Sequence, residues 1–294
     1  MYDSILVPTD GSNAAVAAAE GAVSLARRFD ATVHAVHVVE FRNVQPTDEK
    51  LVADLRRFGE NIVGEVAELA AEAGVEATTS VLETHGKPHR AIIEAATERE
   101  ADCIVMGTHG RTGLARVALG SVAERTLRES PVPVVTVSED ADFAPEFERV
   151  LVPTDGSDGA RAAAEHAVEL AAASDAALDV VSVLDANAVG YELASTTIRD
   201  ALEERGRRSV QQVLELAADT DLQVETAVLQ GTVARSIVEY ADEHDADCIV
   251  IGTHGRTGAE RVLLGSVAER VVRLASVPVI GVKAPEMVEM ANEK

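Results

Sequence analysis

The sequence predicts an α/β protein built as two tandem, doubly wound, five-stranded parallel sheets. Three observations carry that prediction. The 294-residue chain repeats itself: Ser4-Ile5-Leu6-Val7-Pro8-Thr9-Asp10-Gly11-Ser12 returns as Arg149-Val150-Leu151-Val152-Pro153-Thr154-Asp155-Gly156-Ser157, so Ser4 aligns with Arg149 at an offset of 145. Each copy alternates short apolar runs with segments of helical period, the signature of strands joined by crossover helices. Glycine-rich strings follow two of the apolar runs in each copy, at the carboxyl ends where open parallel sheets bind ligands.

Taken in order, Ser4–Pro8 is an apolar strand, and alanine-rich 14–28 has helical spacing. Residues 31–39 are rich in Val and form a second strand; 51–73 carry the periodicity of a long amphipathic helix. Residues 77–82 read as a third strand and 88–99 as a helix with Pro88 in its first turn. Residues 102–106 are a buried strand, 122–129 a short helix and 132–137 the last strand. Five strands with intervening helices require both faces of a parallel sheet to be covered. The second copy repeats the pattern from Val150 to Val282.

The duplication is closest around the second glycine string. Between 102–125 and 247–270, twenty of twenty-four positions are identical, while 40–80 and 185–228 have diverged. Two units of this length are a tandem duplication, not a short-period solenoid. The acidic segment 139–148, with Pro145, is the expected linker, giving domains at 1–138 and 148–284. The apolar last strands, 132–137 and 277–282, would be exposed edges unless covered. The copies are therefore expected to pair through them about a pseudo-two-fold axis, an internal dimer.

Composition narrows the function. Asp and Glu number 50 against 26 Lys and Arg, a net charge of −24, and only four of the bases are Lys. Such a surface excludes an electrostatic grip on nucleic acid or anionic membrane. Its self-repulsion is screened at molar salt, where the Debye length is ~3 Å, so the composition resembles proteins of halophilic, salt-accumulating microbes such as a halophilic archaeon. No apolar run reaches membrane-spanning length and Met1-Tyr2-Asp3-Ser4 has no basic leader, so a cytoplasmic protein without a membrane partner is expected. Cys103 and Cys248 occupy equivalent apolar runs and read as buried thiols.

Two loops per copy hold candidate chemistry: Pro8-Thr9-Asp10 with Gly107-Thr108-His109-Gly110, and Pro153-Thr154-Asp155 with Gly252-Thr253-His254-Gly255. The second loop runs into a helix at Gly120-Ser121, or Gly265-Ser266 in the other copy. A helix N-terminus offers free N–H groups and partial positive charge to a phosphate. Neither a P-loop lysine motif nor GxGxxG is present, so this is a cradle of main chain. The alternative is a purely structural loop, for Ser121 to Glu124 and Ser266 to Glu269 also fit the capping-box pattern.

Gly107-x2-Gly110-x9-Gly120-Ser121, its counterpart Gly252-x2-Gly255-x9-Gly265-Ser266 and the Val-Pro-Thr-Asp of each first strand resemble the ATP-binding members of the universal stress protein family. The resemblance covers nearly all of each copy. It implies a Rossmann-like sheet of order 3-2-1-4-5, often paired through the fifth strand, with ATP across the ends of strands one and four, in a stress-response regulator. By that resemblance Pro8, Thr9, Asp10 and Val38 would lie along adenosine, and Met106 and Gly107 would border the nucleoside. Gly110, Gly120, Ser121 and Val122 would hold phosphates. The second copy offers Pro153, Thr154, Asp155, Val183, Ile251, Gly252, Gly255, Gly265, Ser266 and Val267 in the same roles. Both copies depart from the family in carrying alanine, Ala123 and Ala268, where relatives carry a hydroxyl residue. ATP is the implied cofactor, with ADP or AMP as alternatives and Mg or Mn bound through the phosphates.

His109 and His254 fall inside the cradle and are expected to organise it by hydrogen bonding. Arg111 and Arg256 follow, where they meet either phosphate or solvent. His34 and His37 have no histidine counterparts, Asp179 and Ser182 standing there, and read as incidental. No lysine recurs at either cradle, Lys87 being matched by Thr232, so binding is favoured over phosphoryl transfer. A slow ATPase, a nucleotidyl transferase or a scaffold without ligand stay as alternatives.

Overall fold

The computed structural model describes residues 1–41, 49–109, 119–141, 143, 147–185, 196–254 and 264–284. The first copy runs β1 (Ser4–Pro8), α1 (Asn13–Phe29), β2 (Thr32–Glu40), α2 (Glu49–Glu72), β3 (Ala77–Thr84), α3 (Pro88–Glu98), β4 (Cys103–Gly107), α4 (Ser121–Glu129) and β5 (Val134–Val137). The second runs β6 (Arg149–Pro153), α5 (Asp158–Ser174), β7 (Ala177–Asp185), α6 (Thr196–Leu216), β8 (Val224–Gly231), α7 (Val233–Glu243), β9 (Cys248–Gly252), α8 (Ser266–Leu274) and β10 (Val279–Val282). Every expected element is found, with shifted ends. The last strand begins at Val134 because Pro133 has no N–H to give a ladder.

Local chemistry sets the helix ends. Ser12 Oγ accepts from Ala15 N at the start of α1, and Ser157 Oγ from Ala160 N at the start of α5. Both helices stop at an aspartate in the left-handed region, Asp30 (φ 56°) and Asp175 (φ 55°). A small-residue face (Ala14, Ala18, Ala22 and Ala26 in α1) lets the helix lie close against the sheet.

All ten strands form one sheet, ordered β3-β2-β1-β4-β5-β10-β9-β6-β7-β8. Within each repeat the pairs are parallel in the order 3-2-1-4-5; β5 and β10 meet antiparallel. Their register pairs Thr136 with Val279, Val135 with Ile280 and Val134 with Gly281. Val135 and Ile280 are equivalent positions of the two copies, so a local two-fold axis passes between them. Thr136 Oγ1 donates to Val279 O at 3.0 Å across this seam.

The core has two layers. On one face α1, α2, α5 and α6 bury Ile5, Val7, Leu25, Val33, Val105, Leu170 and Val250 in a cluster spanning both repeats. On the other, α3, α4, α7 and α8 cover Leu6, Ile104, Leu127, Leu151, Ile249 and Val279. Cys103 and Cys248 lie fully buried with free thiols, and burial pushes both thiols well above their usual range. Among the described residues no helix is long and apolar enough to cross a membrane.

Candidate functional site

Each repeat holds a cavity at the carboxyl ends of its strands, beside the crossover where the winding reverses. The first, of about 340 Å³, is lined by Pro8, Thr9 and Asp10 after β1, by Val36, His37 and Val38 of β2, and by Met106, Gly107, Thr108 and His109 at the end of β4. Pro88 and Ile92 of α3 close one side; Gly120, Ser121, Val122 and Ala123 close the far end. The second, of about 420 Å³, is lined by Pro153, Thr154, Asp155, Val183, Ile251, Gly252, His254, Gly265, Ser266, Val267 and Ala268 among others. Both fall in the size range of small-ligand cavities. Every site residue inferred from sequence and described here lies on one wall or the other. Gly110, Gly255, Arg111 and Arg256 lie outside the described residues.

The walls divide by chemistry. One end is apolar: Val38, Ile92 and Met106 in the first cavity, Val183, Ile237 and Ile251 in the second. The other end is helix terminus. Gly120 is the N-cap of α4 and Gly265 that of α8, and neither has a side-chain capping bond. The capping boxes expected at Ser121 and Ser266 are therefore corrected: these serines are the first helical residues, because Gly120 N and Gly265 N bond back to Thr108 O and Thr253 O at 2.8 Å and fix the entry one residue earlier. The contrast with α1 and α5, whose amides are taken by Ser12 and Ser157, leaves the α4 and α8 amide ends directed at the cavity without a side-chain occupant.

A web of short bonds holds the two loops together. Asp10 Oδ1 accepts from Ser12 N, and Asp155 Oδ1 from Ser157 N, each at 3.0 Å. The turn continues through Gly11 (φ 74°) and Gly156 (φ 77°), a conformation suited to glycine. Ser12 Oγ donates to His109 O at 3.2 Å, tying α1 to the loop after β4. His109 Nδ1 and His254 Nδ1 pair with the neighbouring hydroxyls of Thr108 and Thr253 at 2.8 and 3.0 Å. Gly107 and Gly252 have a packing reason of their own. A Cβ on Gly107 would stand 2.7 Å from Ala14 C, and one on Gly252 would stand 2.5 Å from Gly159 C, so it is the α1 and α5 backbone that excludes a side chain here.

Sequence reasoning missed one wall. His37, read as incidental, is 8% exposed, lines the first cavity and donates from Nδ1 to Thr9 O at 2.7 Å. It sits in β2 between Val36 and Val38. Leu202, Arg205 and Gly206 of α6 line only the second cavity and fall where the copies diverge. His34, by contrast, bonds Thr78 Oγ1 at 2.7 Å and lies away from the cavity. Near the first cavity, buried His89 faces Glu129 at 3.3 Å, and burial holds its pKa below the ordinary value. Among the described residues lining the first cavity there is no Lys or Arg, and no group of three His, Cys, Asp or Glu among the described residues could hold a metal.

Comparison with known proteins gives a consistent pattern. The model of the universal stress protein family matches residues 1–138 and again residues 146–283. A universal stress protein of Methanocaldococcus jannaschii is 40% identical over 143 residues, covering 48% of this chain and 84% of that protein. A universal stress protein of Mycobacterium tuberculosis is 32% identical over 238 residues, 76% of each chain. Among solved structures, a universal stress protein from Archaeoglobus fulgidus aligns with a TM-score of 0.72 at 25% identity, covering 96% of this chain and 98% of that one.

Proposed function

This chain belongs to the universal stress protein family, and we propose that each repeat binds one adenine nucleotide, so that the protein acts as a cytoplasmic, nucleotide-responsive stress regulator. The observation that carries the reading is the uncapped start of α4 and α8 facing a cavity whose other end is apolar. The base lies along Val38, Met106 and Pro8, or Val183, Ile251 and Pro153. The Asp10 and Asp155 carboxylates accept from ribose hydroxyls. The amides at Gly120 to Val122 and Gly265 to Val267, with those of Gly110 and Gly255, hold phosphates, which main-chain dipoles attract even in a chain of net charge −24. ATP, ADP and AMP share these contacts. A Mg or Mn ion travels on the phosphates, since no group of three His, Cys, Asp or Glu among the described residues forms a cage for it.

Binding is the output in this reading. Phosphoryl transfer needs cationic groups at the phosphates, and the first cavity's described lining supplies none. The acidic surface disfavours nucleic acid, and two buried free thiols suit a reducing compartment. Calorimetry with ATP tests the proposal: two nucleotides per chain are expected, with phosphate release well under ~1 per second. At a hundredfold excess over its dissociation constant each nucleotide should add about 2.7 kcal/mol to stability. Absence of binding by ATP, ADP and AMP alike would refute the reading, and fast release would replace it with an enzyme.

A further inference from the structure

The two cavities are not copies of each other, and their difference sits at the base end. Gly59 and Gly206 mark the same place in α2 and α6: a Cβ on Gly59 would meet His37 and Val81, and one on Gly206 would meet Val228, Leu184 and Ser182. His37 therefore corresponds to Ser182, and Phe58 to Arg205. In the first repeat the His37 ring bonds Thr9 O, and Phe58 stands edge-on to it with centroids 5.9 Å apart at 80°. Together they fill the gap between β2 and α2, and no described α2 residue lines that cavity. In the second repeat the small Ser182 leaves the gap open. The cavity runs on to Leu202, Arg205 and Gly206 and is larger, about 420 against 340 Å³.

Resting on the nucleotide-binding reading above, we propose that the second repeat accepts guanine as well as adenine nucleotides, whereas the first is restricted to adenine. The annex adds a guanidinium (Arg205), a hydroxyl (Ser182) and a carboxylate (Asp185) to an otherwise apolar base site. Guanine presents O6 and N7 as acceptors and N1–H and N2–H2 as donors. A guanidinium fork matches the first pair and a carboxylate the second. Adenine carries an amino donor where guanine carries O6, so Arg205 can reach only its N7 and loses the bidentate match, and its fit rests on the apolar walls that both cavities share. In the first repeat the His37 imidazole and Phe58 ring offer no such fork and occupy the space that the N2 amino group needs.

Calorimetry on the full chain with ATP and GTP separately decides this. Two ATP and one GTP per chain are expected. Ser182→His, which Gly206 accommodates as Gly59 accommodates His37, should weaken GTP at least tenfold. Arg205→Phe, on an exposed helix position, should weaken GTP by about tenfold with the fold undisturbed. The combined His37→Ser and Phe58→Arg variant should raise GTP to two. GTP bound at both sites alike, GTP bound at neither while ATP binds twice, or GTP binding indifferent to both second-repeat variants overturns the proposal and leaves nucleotide binding standing. Absence of binding by ATP and GTP alike overturns both readings.

Discussion

Tyr2 Oη lies 2.9 Å from His166 Nε2, joining the first residues of one repeat to helix α5 of the other. Tyr2 is 1% exposed and packs edge-on to Phe29 at 5.3 Å, so the phenol needs this partner. Arg28 Nη2 donates to Ser174 O at 2.7 Å nearby, a second bond between repeats on the same face. Tyr2 Oη and His166 Nε2 share this bond, and burial pushes the pKa of His166 down to about 4.

That geometry predicts an acid weakness. The folded pKa of about 4 lies below the unfolded value of about 6.5, so the unfolded chain takes up the proton first. The contribution of His166 is fully present above pH 6.5 and is lost as pH falls from there toward 4. Urea unfolding of wild type and His166→Gln should give a stability difference that shrinks by about 2–3 kcal/mol between pH 7 and pH 4. A difference constant over that range would exclude a neutral, hydrogen-bonded His166.

The close approach at Gly107 predicts a strong response to one methyl group. Gly107→Ala should cost about 2 kcal/mol or more, because the Ala14–Ala15 backbone cannot yield as a side chain would. Gly64→Ala is the control with the opposite sign. A Cβ there meets nothing within 4 Å and the residue is inside α2, so stability should rise by about 0.5–1 kcal/mol. Denaturant midpoints for the pair check both signs in one experiment.

The seam between repeats predicts a third outcome. Val135 is 1% exposed and pairs with Ile280 on the local two-fold axis. Val135→Asp should destabilise the protein by about 3 kcal/mol or more, by burying a carboxylate with no partner. Val16→Asp, on an exposed face of α1, should change stability by no more than about 0.5 kcal/mol. Equal effects of the two substitutions would show that the β5–β10 seam does not hold the molecule together.

The charge balance predicts a response to salt. With a net charge of −24, raising KCl from 0.1 to 2 M should raise the melting temperature markedly as the Debye length contracts. A flat profile would remove the case for a salt-adapted protein.

What could be read from the residues alone follows from where the information sits. The alternation of strands and helices and the duplication depend on local pattern and on strings written twice, so one dimension sufficed; the strand order came only with the family resemblance. His37 and Arg205 escaped because their roles depend on which face of β2 or β7 meets α2 or α6. That register exists only once Val36 is set beside Ser80 and Val181 beside Ala227. The Ser121 capping box misled for a related reason. The spacing of Ser and Glu is the same whether serine is the cap or the first helical residue, and only the long-range bond from Gly120 N to Thr108 O decides.

The antiparallel junction of β5 with β10 has a consequence for how such a protein can change. When two halves joined this way come from separate identical chains, dilution parts them, and any altered residue appears on both sides of the axis. Here the covalent tether keeps the partner at a high effective concentration whatever the amount of protein present. Each half is also encoded on its own, so position 37 and position 182 can differ while the strands that join the halves pair symmetrically. One molecule thereby carries two unlike cavities in fixed one-to-one proportion, something a symmetric pair of single units cannot offer.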